Sequence, residues 1–398
     1  MTENISFVPV IFGGFVNGYS LARSFYETYN IKSVVCDTQK NIAYYSKFCI
    51  FYVVENPNKD LKNFFIEVKD IGKSIRSDCK IPIILVTNDI WLIPLAKYKN
   101  ELEDVYLYSF SGWEIIDKFV NKDKLYKICN FLKIQYPKTL YVDSINNFDF
   151  QNLCFPIIIK PSDTNEYSYY FPTKERNYIF ENEEDAFSHI KLLFSSNYKG
   201  RIIIQEYIPG GAESLFTCTT YSNINGKIKA VSTGCKLSQY PSNAGTITSG
   251  LVKYNSEIIT KTKTLLEANY YFGIANTEYK FDKRDNTYKL MEINARPGMW
   301  NYSSFLSGIN IIKYLVDDLI YNKTLLYSES TEMLIWTRNI KKKIKINVNN
   351  YENKEIVKIL LKEKKIFNPL NNKNDGLIFK IRYYLISIKE YLKFIINR

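Results

Sequence analysis

Between Thr277 and Trp300 the chain reads TEYKFDKRDNTYKLMEINARPGMW, and this stretch limits the fold more than any other. Apolar and aromatic residues alternate on both arms, while Lys283-Arg284-Asp285-Asn286 in the middle is polar and turn-forming, so the pattern predicts two antiparallel strands joined by a turn. Side chains two apart share a face of a strand. Glu292 and Asn294 therefore point the same way, and Glu278 joins them if the register allows, which gathers three oxygen ligands of the kind magnesium takes. That register needs an even pairing sum, hence an odd number of loop residues or a bulge; a clean two-residue turn at Asp285-Asn286 would point Glu278 away. The plain alternative is that these residues form the wet face of a sheet. Arg296-Pro297-Gly298, immediately beyond, speaks for chemistry, because it places a permanent cation where a phosphoryl group would carry its charge.

The rest of the chain supplies an α/β setting. Phe7 to Phe12 is an apolar strand, Gly13-Gly14 breaks it, and Gly18 to Tyr29 reads as a helix with Leu21, Phe25 and Tyr29 on one face. Strands at Ser33 to Cys36, Ile81 to Val86 and Val105 to Tyr108 complete a small Rossmann-like unit. Asp37 after the second strand makes the opening imitate a dinucleotide site, but Gly13, Gly14 and Gly18 do not keep the G-x-G-x-x-G spacing, so a nicotinamide oxidoreductase is a weak alternative. Trp113 to Leu132 is helical and carries Lys122, which by itself reads as a solvated lysine. Phe155 to Pro161 is a buried β-branched run ending in Lys160, a cation with no local reason to sit there unless it meets an anion. Arg201 to Tyr207 is a strand running into Ile208-Pro209-Gly210-Gly211 and then Glu213; such a turn can offer backbone groups to a heterocycle edge and a carboxylate to hydroxyls, or can be a plain hairpin edge. Asn225-Gly226 marks a hairpin whose second strand reaches Lys236, and Ser256 caps a helix through Glu267.

Composition excludes several function classes. His189 is the single histidine, so histidine triads and His metal sites are nearly excluded, and it reads as a surface bystander. Seven cysteines show no C-x-x-C pair and no ligand spacing, and their odd number fits a reducing cytosol better than a disulfide framework. The 33 Tyr and 25 Phe are dispersed through apolar segments, as core residues are, and form no base-stacking platform. From Arg338 to the end, 16 Lys and Arg face 5 Asp and Glu, a net of +11 out of +12, so the preceding body is close to neutral. We expect no nucleic-acid partner for that body, and whatever the basic charge does, it does from the tail. The start MTENISFVPV has an acid where a signal peptide would be basic, and no apolar run is long enough to span a bilayer. The stretch Leu377 to Arg398 is interrupted by Lys380, Arg382, Lys389 and Lys393, which suits either a helix lying at an anionic interface or one packed on the body.

Taken in order, these marks resemble the ATP-grasp superfamily of carboxylate–amine ligases. The likeness covers nearly all of the first 320 residues, and within the superfamily it is strongest to bacterial D-aspartate ligases, through VPVIFGG with NGYSLARSF, IQYPKTL, FPIIIKPSDTNEYS, QEYIPG, and IANTEYKFD with YKLMEINARPG. The glycine-rich phosphate lid usual after the second lysine is replaced by Asp163 to Ser168, and NARPGMWNYSS departs from the ligase wording just after the metal ligands. The resemblance implies an α/β chain, α+β in its nucleotide-binding part, with a pre-ATP-grasp Rossmann-like domain at 1–112, an ATP-grasp domain at 113–322 and a basic extension at 323–398. It implies ATP with two Mg2+ ions, for which Mn2+ can substitute. Lys122, Lys160 and Lys236 would hold ATP, Glu206, Tyr207 and Ile208 its adenine and Glu213 its ribose, while Glu278, Glu292 and Asn294 bind metal and Arg296 and Lys160 serve the phosphoryl group. The implied reaction is activation of an amino-acid carboxylate, D-aspartate, as an acyl phosphate, and its transfer to the lysine amine of a UDP-linked peptidoglycan precursor, in the cytoplasm or peripherally at the inner membrane face. Another ATP-grasp ligase acting on a surface polymer or metabolite, or a non-catalytic ATP-binding protein, keeps the same motifs. The oligomeric state stays open.

Overall fold

The protein was analysed as a computed structural model, which describes residues 6–146, 149–150, 153–162, 167, 170–171, 177–196, 198–240, 245–330, 332–338, 351–372 and 374–396. Contacts divide it into two units, one of Met1–Ile134, Gly211–Tyr279 and Glu292–Arg398, the other of Gln135–Gly210 and Lys280–Met291.

The first unit opens with a five-stranded parallel sheet made of β1 (Phe7–Phe12), β2 (Ser33–Asp37), β3 (Cys49–Val53), β4 (Ile81–Val86) and β5 (Leu107–Tyr108) in the order β3-β2-β1-β4-β5. FVPVIF and IPIILV are apolar almost throughout because a parallel sheet is covered on both faces. The edge strand β3, which the sequence reading did not mark, exposes Ile50, Tyr52 and Val53. Helix Val16–Tyr29 buries Leu21 and Phe25 as its periodicity requires, and Asn30 ends it in the left-handed region at φ 56°.

Asp37 settles what the glycine turn does. Its carboxylate accepts from the Gly14 N–H at 2.6 Å, the Thr38 N–H at 2.7 Å and Asn41 Nδ2 at 2.7 Å. The acid that would hold a ribose in a dinucleotide site is thus committed to its own turn. Gly18 is needed for packing, since a Cβ there would lie 1.8 Å from the Gly13 carbonyl oxygen.

The second unit holds a four-stranded antiparallel sheet in which β6 (Thr139–Val142), β7 (Ile157–Pro161), β8 (Tyr178–Phe180) and β9 (Ile202–Glu206) lie in the order β6-β9-β7-β8. Helix Glu183–Ser195 covers it with Ala186, Ile190 and Leu193, and Asn182 caps that helix through the Asp185 N–H. His189 lies half-buried with its ring against Tyr178 and Phe180, a packed residue more than a surface one.

The largest sheet contains β10 (Leu215–Ser222), β11 (Ile228–Tyr240), β12 (Thr246–Val252), β13 (Gly273–Asp282), β14 (Thr287–Asn294), β15 (Ser328–Glu329), β16 (Leu334–Thr337) and β17 (Ile366–Phe367). Its order is β14-β13-β10-β11-β12-β16-β17, with β15 beside β11. The turn between β10 and β11 falls at Asn225-Gly226 as read, with Gly226 at φ 70°. Two helix boundaries differ from the sequence reading. Asn255, not Ser256, caps helix Ser256–Ala268 by accepting from the Ile258 N–H at 3.0 Å. The stretch 113–132 is two helices, Trp113–Val120 and Lys122–Phe131, because Asn121 turns its side chain onto the Asp123 and Lys124 N–H groups and starts a new helix.

After β17 the chain returns to helix Val16–Tyr29 and the loop before β3. Asp375 accepts from Tyr19 Oη at 2.6 Å and Ser46 Oγ at 2.8 Å, and helix Leu377–Ile396 lays Phe379 on the Tyr19 ring at 4.8 Å between centroids. The basic run Lys341-Lys342-Lys343 lies outside the described residues.

Candidate active site

The hairpin β13–β14 carries the acidic patch, and its base belongs to the first unit. Thr277 and Tyr279 turn toward helix Ser256–Ala268, both hydroxyls meeting Thr262 Oγ1 at 3.0 Å. By the strand period Glu278 and Asn276 face the other way. Glu278 Oε2 receives Lys236 Nζ from β11 at 3.2 Å, and Asn294 Nδ2 donates to Glu292 Oε1 at 3.3 Å. Burial pushes the Glu278 carboxyl up, Lys236 pulls it down, and the Glu292 charge adds a further upward push. Lys236 and the Glu292 charge therefore both act on Glu278, and Asn294 on Glu292.

The turn does not have the odd number of residues that a shared face calls for. The connection Lys283–Asn286 has four residues, with Asn286 at φ 55°, and at the tip Phe281 packs on Tyr288 while Asp282 receives Lys289 Nζ at 2.8 Å. Those pairs have odd sums. A regular ladder continued from that tip would turn Glu278 away from Glu292, against the odd-numbered turn or bulge that a shared metal face calls for.

Two carboxylates and an amide make an all-oxygen donor set, which fits Mg2+ or Mn2+ and not a soft metal. Among the described residues no three His, Cys, Asp or Glu side chains cluster for a metal.

Arg296 follows at the end of β14 and is aimed by two contacts that sequence reading missed. Its Nε and Nη2 donate to Asp89 Oδ1 and Oδ2 at 2.8 and 3.3 Å. Asp89 opens helix Asp89–Lys97 just beyond β4, the carboxyl end of a parallel strand, where α/β sheets place their ligands; that position was the available signal. The loop after Arg296 is moored by Trp300, whose Nε1 donates to Thr217 Oγ1 at 2.9 Å, while Thr217 and Thr219 donate to Asn276 Oδ1 at 3.1 and 3.2 Å. The indole lies against Gly234 and Gly250, where added Cβ atoms would stand 2.4 and 2.8 Å from its ring. Glu213 sits half-buried in the short turn Ala212–Ser214, and Lys122 is half-buried as the first residue of its helix.

The second unit carries the other expected nucleotide residues. On β7, Ile157 and Ile159 face the core and Lys160 the opposite side, where its Nζ donates to Gln205 Oε1 at 2.9 Å and Gln205 Nε2 donates to Thr139 Oγ1 at 2.8 Å. Glu206, Tyr207 and Ile208 follow on β9 and its exit. The N–H of Glu206 donates to the Lys138 carbonyl and that of Tyr207 to the Pro156 carbonyl, both at 2.9 Å. Glu206 is buried, and its carboxylate accepts from the Cys154 N–H at 3.3 Å with Lys289 Nζ at 4.0 Å. Lys280 Nζ lies 4.9 Å from the centre of the Tyr207 ring. Sequence reading passed over Lys280 and Lys289, although Lys280 stands two residues beyond Glu278 on one strand. Asp282 braces the tip: Arg284 forks onto its two oxygens at 2.9 and 2.7 Å, and these cations hold its carboxyl well below the usual range. The lid segment Asp163–Glu166 and Ser168 lie outside the described residues.

No family model matches the chain. It is 28% identical over 377 residues to the D-aspartate ligase of Enterococcus faecium (strain Aus0004), which covers 91% of this chain and 89% of the relative. Among solved structures it resembles N5-carboxyaminoimidazole synthetase from Staphylococcus aureus complexed with ADP, at a TM-score of 0.62 and 14% identity over 89% of this chain and 87% of that one. It also resembles L-amino acid ligase from Bacillus licheniformis, at a TM-score of 0.56 and 16% identity over 80% and 75% of the two chains. Sheet order, motif order and these likenesses agree: the chain has the ATP-grasp fold and is similar along nine-tenths of its length to a carboxylate–amine ligase of that fold.

Proposed function

We propose that the chain is an ATP-dependent ligase that activates the carboxylate of D-aspartate as an acyl phosphate and transfers it to an amine of a peptidoglycan precursor. The observation that carries this reading is the cluster of Lys236, Glu278, Glu292 and Asn294 with Arg296 two residues on, an oxygen donor set flanked by two cations. The likeness to a D-aspartate ligase supports the choice of acid, and we take the lysine side chain of a UDP-linked precursor as the acceptor.

A bare carboxylate resists amine attack because it repels the nucleophile and has no good leaving group; phosphorylation supplies one. Lys160, Lys122, Lys236 and Arg296 are the cations assigned to neutralise phosphate charge. With the Glu206 and Tyr207 N–H groups already donating inside the sheet, adenine is read by their carbonyl side and by the Ile208 N–H. Glu213 accepts from the ribose hydroxyls. Glu278, Glu292 and Asn294 would hold Mg2+, which, when bound, screens the triphosphate charge. No proton transfer in this scheme requires histidine, in keeping with a chain that has one. We place the reaction in the cytoplasm, where ATP and nucleotide-linked precursors are made.

The test is ADP release with a panel of D- and L-amino acids, with and without amine acceptors, using hydroxylamine to trap the activated acid as a hydroxamate. We expect turnover with D-aspartate and amide formation with a lysine-bearing precursor. Hydroxamate from another acid alone would move the substrate within the same chemistry; no ADP with any acid would overturn the ligase reading.

A further inference from the structure

The C-terminal helix Leu377–Ile396 has two apolar sides, and the protein covers one of them. Phe379 stacks on Tyr19 of helix Val16–Tyr29, and the Tyr383 hydroxyl accepts from Asn368 Nδ2 at 2.7 Å, so one side is spent on the first unit's own helix and the segment after β17. Leu377, Ile378, Ile381, Tyr384, Leu385 and Ile388 are each between 49% and 74% exposed. At 3.6 residues per turn these six fall within an arc of about 120°, opposite Phe379 and Tyr383. A helix held on one side and apolar on the other is built to meet a second surface.

We propose that this exposed stripe docks on the surface of an anionic lipid bilayer, holding the protein peripherally at a membrane. Charge decides the occupant. The chain from Arg338 onward carries a net +11, and within the helix Lys380 and Arg382 interrupt the apolar sequence; Arg382 is exposed, with its guanidinium 4.8 Å from the Tyr45 ring centre. Each basic side chain near an anionic surface strengthens binding about fivefold. A second copy on this face would instead bring two like-charged tails together. The helix lies on the bilayer and does not cross it: no helix among the described residues is long and apolar enough to span a membrane. The inference is independent of the ligase reading, because it uses none of the site residues.

Co-sedimentation of the full chain with phosphatidylserine-containing and pure phosphatidylcholine vesicles, at low and high salt, tests it. The double variant Ile381→Ser, Leu385→Ser removes exposed apolar groups while leaving Phe379 and Tyr383 in place, so it should fold. We expect binding to anionic vesicles at low salt, at least tenfold weaker binding to neutral vesicles or at high salt, and at least tenfold loss in the variant. Absence of binding to anionic vesicles, or binding that the variant leaves unchanged, would overturn the proposal. So would a lipid-free dimer of the native chain that the variant dissociates, since the stripe would then be a self-association surface.

Discussion

Replacing Lys236 by methionine isolates the ion pair within the proposed metal patch. At 3.2 Å and an effective dielectric of about 20, the attraction to Glu278 is about 5 kcal/mol. Desolvation offsets part of it, and breaking a buried pair typically costs about 3–5 kcal/mol. Because 22% of the Glu278 side chain remains exposed, the lower end, about 3 kcal/mol, is the appropriate figure. The carboxyl can escape the cost by keeping a proton. Burial and Glu292 already push it up, so loss of Lys236 raises it further. A carboxyl whose native pKa stands above its unfolded value binds more protons in the native state, so stability falls as pH rises from the unfolded value, near about 4, through the native one. The melting temperature of Lys236→Met should therefore match or exceed that of the native protein at about pH 4, where the carboxyl is neutral and the native lysine has lost its counter-charge. It should fall increasingly below it toward neutral pH. Calorimetry across that range is the assay, and a deficit that is the same at every pH would show that Lys236 contributes packing and not charge.

Further consequences concern catalysis and the frame that supports it. Glu292→Ala should lose ATP-dependent ligation by at least about 100-fold with its circular dichroism unchanged, since phosphate repulsion is left uncompensated; full activity would falsify the metal assignment. Lys160→Ala should weaken ATP binding about 10- to 100-fold by titration calorimetry, the worth of one charge-assisted hydrogen bond, and an unchanged affinity would remove Lys160 from the nucleotide site. Gly234→Ala places a Cβ 2.3 Å from the Leu251 carbonyl oxygen and 2.4 Å from the Trp300 ring, so about 1–3 kcal/mol of stability should be lost, with reduced turnover because Trp300 moors the loop behind Arg296. A normal melting temperature in that variant would contradict the packing described. Asp282, held below the usual range by Arg284 and Lys289, contributes stability above its unfolded pKa that disappears as pH falls through the native one; Asp282→Asn should be destabilised at neutral pH and converge with the native protein in strong acid.

The sequence alone was enough for strands such as β1, β2, β4, β7 and β9, the order of the motifs and the chemical type of each candidate residue, since these depend on local periodicity, turn chemistry and spacing. FVPVIF and IPIILV announce buried parallel strands, and E-x-N must place two side chains on one face of any strand. What the tertiary structure decided depends on partners far away in the chain. Lys236 meets Glu278 across 42 residues and Arg296 meets Asp89 across 207, and no local pattern encodes such pairings. The hairpin is the sharpest case: its local pattern leaves the facing of Glu278 open, and packing of Thr277 and Tyr279 on helix Ser256–Ala268 sets that carboxylate on the side of Lys236. The C-terminal helix divides in the same way. Its two apolar sides are written in the sequence, but helix Val16–Tyr29 chose which would be buried, because Phe379 found the Tyr19 ring there, while the opposite side was left to solvent or to lipid.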